Sequence, residues 1–239
     1  MIIVVLLVSL IVSLAPSIML YRWFIKKSDD KKYKEICKES FKKGIFSVLF
    51  ITLTSLAFAI IGIIFKLLKI NPIIYQAYYT FIVLALSEEL IKFLTFKKVI
   101  KKNKYKYNWY NLTIFMTIVG LGFGCIENAT YSFGSGIIVM LLKGISIGHA
   151  GYGFIMGWFY SKMLETKKKV YGVLSFIIPW LLHGLYDFGL SKEVMKANDN
   201  IAFIPVILEL VCIIFVFIII RFVKKRQNDS KYTKTLKVV

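Results

Sequence analysis

The sequence predicts an all-α protein, a polytopic membrane helix bundle of about seven transmembrane helices. Three observations support this fold class. The chain of 239 residues is 58% hydrophobic, with a mean hydropathy of +0.70, and is more apolar than an ordinary soluble domain. Its apolar residues are gathered in runs of roughly 20, the length that crosses a bilayer as a helix. Its positive charges lie mostly between these runs.

Seven apolar runs follow one another, with no gap long enough for a soluble domain. We therefore expect a single integral membrane domain over residues 1–226 and a polar, cytoplasmic and mobile tail over residues 227–239. No basic segment precedes the first run, which predicts a retained helix and not a cleaved signal peptide. The runs are Ile2–Ile25, Gly44–Phe65, Ile70–Phe96, Asn111–Phe133, Gly136–Met163, Val170–Leu190 and Ile201–Val223.

The positive charges predict the orientation of the helices. Most of the 32 Lys and Arg residues fall in segments on one side of the membrane, and the positive-inside rule makes that side cytoplasmic. The N-terminus is then outside and the C-terminus inside. These segments also explain the net charge of +19, so we expect no nucleic-acid partner. Loop lysines on the other side are few: Lys66, Lys69, Lys192 and Lys196.

Small residues four positions apart recur in the fourth and fifth runs. Such spacing lets helix backbones approach each other closely in lipid. We therefore expect these two helices to lie in the interior of the bundle, and we assign the glycines to packing alone. The pairs are Gly120/Gly124, Gly144/Gly148 and Gly153/Gly157.

Ionisable side chains deep within the apolar runs indicate a functional site, because a charge in lipid is costly and is kept where it is used. Both histidines of the chain are among them. We interpret Lys143 and Glu209, which fit no motif, as structural. The full set is Glu88, Glu89, Lys92, Glu127, Lys143, His149, His183, Asp187 and Glu209.

The spacing of these residues is helical. Lys92 follows Glu88 by four positions and Glu89 by three, so it can pair with either carboxylate. The carboxylate that it leaves unpaired is the better candidate for a general base, and we favour Glu88. His183 and Asp187 are also one turn apart, so the carboxylate can orient the imidazole. Carboxylates held in different environments suit acid–base work on water.

Depth in the membrane separates some of these groups. At 1.5 Å per residue from the cytoplasmic helix ends, Glu88 lies about 12 Å deep and Glu127 about 24 Å deep. Unless a tilt or kink brings them level, we expect Glu127 to lie outside the layer of the paired carboxylates. We also expect Gly153, one turn after His149, to leave space beside the imidazole ring.

Four short motifs occur in order, each in its own run: Glu88-Glu89-x-x-Lys92, Phe123-x-x-x-Glu127, His149-x-x-x-Gly153 and His183-x-x-x-Asp187. Together they resemble the PrsW family of intramembrane proteases, relatives of the CAAX-processing and Abi membrane proteases and of the APH subunit of gamma-secretase. The resemblance covers about residues 70–190. It implies a four-helix catalytic core and a glutamic-type endopeptidase of the cell membrane. The implied substrate is a single-pass membrane protein such as an anti-sigma factor.

The resemblance also implies a role for each residue. Glu88 or Glu89 would be the general base that activates water, and His149 would position that water. His183, held by Asp187, would stabilise the oxyanion. Related CAAX proteases have a histidine where this chain has Glu127, so His149 takes that role here from the neighbouring helix. The supporting residues are Lys92, Phe123, Glu127 and Asn128.

Three alternatives remain open from the sequence. A zinc-dependent protease fits the histidines and carboxylates, but no HExxH motif is present, so we expect no cofactor. A proton-coupled transporter or channel would use intramembrane Glu, His and Asp, although no repeated halves are visible. A non-catalytic membrane scaffold would resemble the APH subunit.

Overall fold

In the part of the chain that the computed structural model describes, residues 2–134, 148–197, 203–226 and 228–238, every regular element is a helix. The predicted all-α class is confirmed for these residues. The helices are α1 (Ile2–Ile25), α2 (Lys31–Leu67), α3 (Pro72–Tyr78), a π-helical turn (Tyr79–Leu86), α4 (Ser87–Asn103), α5 (Trp109–Gly134), α6 (Gly148–Thr166), α7 (Lys169–Gly189), α8 (Lys192–Ala197), α9 (Phe203–Arg226) and α10 (Ser230–Thr233).

Three of these helices are long and apolar enough to cross a membrane: α2, most of α5 and α7. Helix α1 adds a shorter apolar stretch, Leu10–Ile25. By length and composition these helices are suited to cross a membrane, as the sequence predicts. The predicted run Gly136–Met163 is tested only from Gly148 onwards, because Lys143 and Gly144 lie outside the described residues.

Helix α5 is the centre of the bundle. Of its apolar segment 83% is buried, against 11% for α2 and 22% for α7. Helices α1, α2 and α6 pack around it. The outer surface of α2 exposes a row of leucines and isoleucines that would be unfavourable in water and is suited to lipid. Members of that row are Leu49, Leu53, Leu56 and Ile60.

Two glycines let α6 lie directly against α5. A Cβ added at Gly153 would be 2.7 Å from the carbonyl oxygen of Met116, and one at Gly157 would be 2.8 Å from Thr113 Cα. These distances leave no room for a side chain. The prediction that these helices are closely packed in the interior is confirmed.

Helix α2 begins at Lys31, well before the predicted run at Gly44. The side chain of Asp30 accepts a hydrogen bond from Lys32 N at 2.7 Å, which caps the first turn. This lysine-rich segment lies between the first two predicted runs, but one face of it is buried against the bundle. The buried residues on that face are Tyr33, Ile36, Cys37 and Ser40.

The C-terminal segment also packs against the bundle. Tyr232 is 6% exposed, and its ring centroid lies 5.4 Å from that of Trp109. The backbone N–H of Leu236 donates to the carbonyl oxygen of Tyr107 at 2.7 Å. An aromatic side chain thus holds an otherwise polar sequence against the bundle over residues 228–238, and the cytoplasmic location and mobility of the tail stay predictions.

Candidate active site

Four helices bring the predicted ionisable side chains into one cluster. Glu89, Lys92 and His183 are almost completely buried, at 0%, 1% and 2% exposure. Segments of four helices that are distant in sequence thus meet inside the bundle. The carboxylate–histidine cluster consists of Glu88, Glu89 and Lys92 from α4, Glu127 from α5, His149 from α6, and His183 and Asp187 from α7.

Lys92 distinguishes the two adjacent carboxylates. Its ammonium group donates to Glu89 Oε1 at 2.6 Å, whereas Glu88 Oε2 is 3.7 Å away. Lys92 therefore forms a hydrogen-bonded ion pair with Glu89 and only a longer electrostatic contact with Glu88. The sequence left this choice open.

The ring of His149 is held from both sides. Lys92 Nζ donates to Nδ1 at 2.9 Å, and an ammonium group can only donate. The proton of a neutral ring is then on Nε2, which donates to the carboxylate of Glu127. Glu127 is thereby connected to the cluster, although a simple count of depth separates it from Glu88.

Phe123 packs against two members of the cluster. Its ring centroid is 4.4 Å from Lys92 Nζ, a cation–π contact, and 4.7 Å from the His149 ring in an edge-on arrangement. The next residue, Gly124, faces the imidazole, since a Cβ there would be 3.3 Å from Cδ2. The expectation that Gly153 provides this space is wrong, because Gly153 faces the backbone of α5.

His183 lies between carboxylates. Its Nδ1 donates to Glu89 Oε1 at 2.9 Å, and its Nε2 is 3.3 Å from Asp187 Oδ2. Nε2 is also 3.7 Å from Glu88 Oε2. Asp187 contacts the imidazole as the spacing predicts, while the contact with Glu89 from another helix could be found only in the folded protein.

Two aromatic residues near the cluster were missed in the sequence. The ring of Tyr152 stacks on His183, with centroids 5.1 Å apart and planes 19° apart. Trp180 Nε1 donates to the carbonyl oxygen of Phe81 at 2.6 Å, within the π-helical turn that leads into α4. Such turns are frequent at functional sites. Tyr152 is one turn after His149 and Trp180 one turn before His183, a spacing that could have identified both.

Asn128 occupies a different position from the other predicted residues. It is 2% exposed, and its side-chain amide donates to the carbonyl oxygen of Ser13 at 3.4 Å. This contact connects α5 to α1 and does not involve the imidazole of His149. The side chain of Glu209, on α9, lies outside the described structure.

Two carboxylate oxygens of the cluster lack a hydrogen-bond partner among the described residues, Glu88 Oε2 and Glu89 Oε2. Buried polar atoms are nearly always paired, so a water molecule, a substrate or a cation would complete them. One donor atom each from Glu88, His149 and His183 lies within 4.8 Å of the others. Two histidines and a glutamate are a known ligand set of catalytic zinc, so these residues fit such an ion.

An apolar helix bundle with a buried carboxylate–histidine cluster defines a class, membrane proteins with an acid–base site at membrane depth. A family model described as "PrsW family intramembrane metalloprotease" matches residues 40–220. This chain belongs to the PrsW family. The resemblance seen in its motifs is therefore confirmed.

Individual relatives support the assignment. The chain is 35% identical over 115 residues to "Protease PrsW" of Oceanobacillus iheyensis, a match that covers 46% of this chain and 54% of that protein. "Protease PrsW" of Geobacillus kaustophilus is 27% identical over 184 residues, covering 75% and 78%. The Bacillus subtilis protein of that name is 29% identical over 185 residues, covering 74% and 80%. The first of these matches thus spans about half of its relative. No solved structure matches.

Proposed function

We propose that this protein is an intramembrane endopeptidase that hydrolyses a peptide bond with a water molecule activated by Glu88. The observation that carries the proposal is the meeting of two adjacent carboxylates and two histidines, from three helices, inside an apolar bundle. Such groups are costly at membrane depth and are typically functional. The protease names of its relatives support the same reaction.

Glu88 is the proposed general base because its contacts within the cluster are longer than those of Glu89. Glu89 is held by Lys92 at 2.6 Å and by His183 at 2.9 Å, whereas Glu88 lies 3.7 Å from both Lys92 Nζ and His183 Nε2. Glu88 takes a proton from water as the oxygen attacks the scissile carbonyl. It then returns the proton to the amide nitrogen that leaves.

The histidines have positioning and electrostatic roles in this mechanism. His183 would act as an imidazolium, with its Nδ1–H donating to Glu89. Its Nε2–H, on the same side as Glu88, would donate to the oxyanion that forms on the carbonyl oxygen in place of Asp187. Glu89 and Asp187 fix the direction of that ring. His149 would position the attacking water, and Lys92 and Glu127 hold it in one tautomer.

A zinc-dependent form of this reaction is the second candidate. The donor atoms of Glu88, His149 and His183 favour it, as does the description of the family as a metalloprotease. When bound, such an ion supplies Lewis-acid polarisation of the scissile carbonyl. Glu127, on Nε2 of His149, and Glu89, on Nδ1 of His183, would then be the carboxylates that orient the two imidazole rings.

The proposed enzyme crosses the cell membrane seven times, with its N-terminus outside and its C-terminus inside. The distribution of Lys and Arg supports this orientation. Its catalytic core would be formed by about residues 70–190, with the remaining helices around it. A single-pass membrane protein, such as an anti-sigma factor, is the proposed substrate, supported by the family resemblance.

Co-expression with tagged single-pass membrane proteins tests the proposal. We expect cleavage by the wild type and none by Glu88→Gln or His183→Ala, while a Glu35→Gln control at an exposed site stays active. Full cleavage by both Glu88→Gln and Glu89→Gln would exclude a glutamate base. Loss of activity in EDTA, with recovery on adding zinc, would favour the metal-dependent form.

A further inference from the structure

A cavity of about 540 Å³ lies between α6, α7 and α9. None of its lining residues belongs to the carboxylate–histidine cluster. Its walls are mainly aromatic and aliphatic, and each of the three helices contributes to them. The apolar lining includes Phe154 and Trp158 of α6, Ile178 and Leu182 of α7, and Ile218 and Phe222 of α9.

One part of this cavity is strongly basic. Arg221, Lys225 and Arg226 line it together with the apolar walls. On α9, Arg221 and Lys225 lie one turn apart and share a face with Ile218 and Phe222, since these positions follow the i, i+3, i+4, i+7 pattern. A single helix face thus presents both apolar side chains and cations to the cavity.

The three basic residues that line the cavity differ in the side chains with which they interact. Arg226 forms an ion pair with Asp229 at 2.7 Å and lies 4.6 Å from the Tyr232 ring centroid. In the described part of the chain, no carboxylate lies within ion-pairing distance of Arg221 or Lys225. Two positive charges in the lining of an apolar groove therefore remain available to an anion.

We propose that this cavity binds an anionic phospholipid, with an acyl chain in the apolar groove and the headgroup phosphate at Arg221 and Lys225. Basic pockets between transmembrane helices on the cytoplasmic side are suited to such headgroups, and the cytoplasmic leaflet is rich in anionic lipid. The charge and the apolar walls are complementary to the two parts of one lipid molecule. A zwitterionic lipid would gain less from the cations. The proposal does not depend on peptidase activity.

Native mass spectrometry of the full chain in detergent tests the site, with phosphatidylglycerol, phosphatidylcholine or inorganic phosphate added. We expect one phosphatidylglycerol to be retained in preference to phosphatidylcholine. Arg221→Gln/Lys225→Gln should weaken phosphatidylglycerol binding about 30-fold. The control Lys31→Gln/Lys38→Gln removes the same charge from exposed positions outside the cavity and should bind as the wild type does.

The apolar part of the site is tested separately. Ile218→Trp fills the groove and should reduce phosphatidylglycerol retention, whereas Ile214→Trp, on an exposed surface outside the lining, should not. Circular dichroism shows whether each variant keeps its helices. Because the cavity could instead receive a peptide or a second copy of the chain, a photoreactive side chain at position 218 identifies the occupant in membranes.

Four results would overturn the proposal. They are equal retention of both lipids, the same loss in the Lys31→Gln/Lys38→Gln control, full competition by inorganic phosphate, and a crosslink at position 218 to polypeptide only. A crosslinked adduct of lipid mass at position 218 that disappears in the Arg221→Gln/Lys225→Gln variant would support it.

Discussion

Lys92 Nζ lies 2.6 Å from Glu89 Oε1 inside the bundle, and this ion pair makes two adjacent glutamates unequal. The same ammonium group is 3.7 Å from Glu88 Oε2 and 2.9 Å from His149 Nδ1. Glu89 is therefore part of the support of the site, while Glu88 is the carboxylate that can respond to a water molecule.

The two glutamates should respond differently to neutralisation. Glu88→Gln should lower the cleavage rate by about 10²–10⁴-fold with little change in thermal stability. Glu89→Gln should destabilise the protein by roughly 3 kcal/mol, because it leaves a buried ammonium group without its closest charge partner. Cleavage assays and melting curves in detergent measure both effects. Equal stability losses in the two variants would contradict the asymmetry.

The ion pair can be measured by a double-mutant cycle. Lys92→Met alone should be strongly destabilising, since it leaves the Glu89 carboxylate buried without its closest charge partner. In Lys92→Met/Glu89→Gln the loss should be smaller than the sum of the single losses by about 1–3 kcal/mol. Strict additivity would mean that the 2.6 Å contact contributes nothing. In any Lys92→Met protein that stays folded, we expect the pH optimum of cleavage to move.

Glu127 should act through the His149 ring. Glu127→Gln keeps an oxygen that can accept from Nε2–H and should retain most activity, whereas Glu127→Ala should lose about 10–100-fold, as losses of such orienting groups do. The comparison of kcat for the two variants tests this, because a purely structural role would affect their stability and not separate their rates. Equal activity in both would exclude the role.

The contact between α5 and α6 should not tolerate a methyl group. Gly157→Ala places a Cβ 2.8 Å from Thr113 Cα and should destabilise the protein by about 1–3 kcal/mol through overpacking. The matched control is Gly62→Ala, where the nearest atom is 3.4 Å away in the Tyr75 side chain. Thermal unfolding in detergent should separate them, and an equal effect would show that the close approach is not needed.

Acid should weaken a contact outside the apolar runs. Burial alone raises the pKa of the Glu39 carboxyl, but hydrogen bonds from Lys102 and Asn103, both at 2.8 Å, outweigh it and hold the pKa below its usual value. A lowered pKa in the folded state means that this contact stabilises the fold above the usual carboxyl pKa. The stabilisation is lost as the pH falls through the lowered value.

Glu39→Gln should therefore lower the melting temperature by at most about 2–4 °C near neutral pH, the scale of one surface ion pair. The difference from wild type should vanish once Glu39 is protonated in acid. The control is Glu35→Gln, which removes an exposed pair with Lys32 and should change little. A difference that grows as the pH falls would contradict the sign.

Much of this protein is determined by local sequence. Apolar runs of membrane length predict the helices, because helix hydrogen bonds are satisfied within each segment and need no distant partner. Helical spacing alone predicts that Asp187 contacts His183 and that Lys92 can reach both glutamates. The rarity of ionisable residues at membrane depth singles out nearly all of the cluster, including both histidines.

Only the tertiary structure decides which of these groups contact one another across helices. Lys92 is within reach of both glutamates along α4, and its pairing with Glu89 is fixed where His149 of α6 and His183 of α7 approach. The connection of Glu127 to the cluster and the anchoring of the tail by Tyr232 likewise depend on contacts between distant segments. Spacing along a helix fixes the neighbours of a side chain on its own element. Its partners on other helices follow from how closely and at what depth the backbones pack.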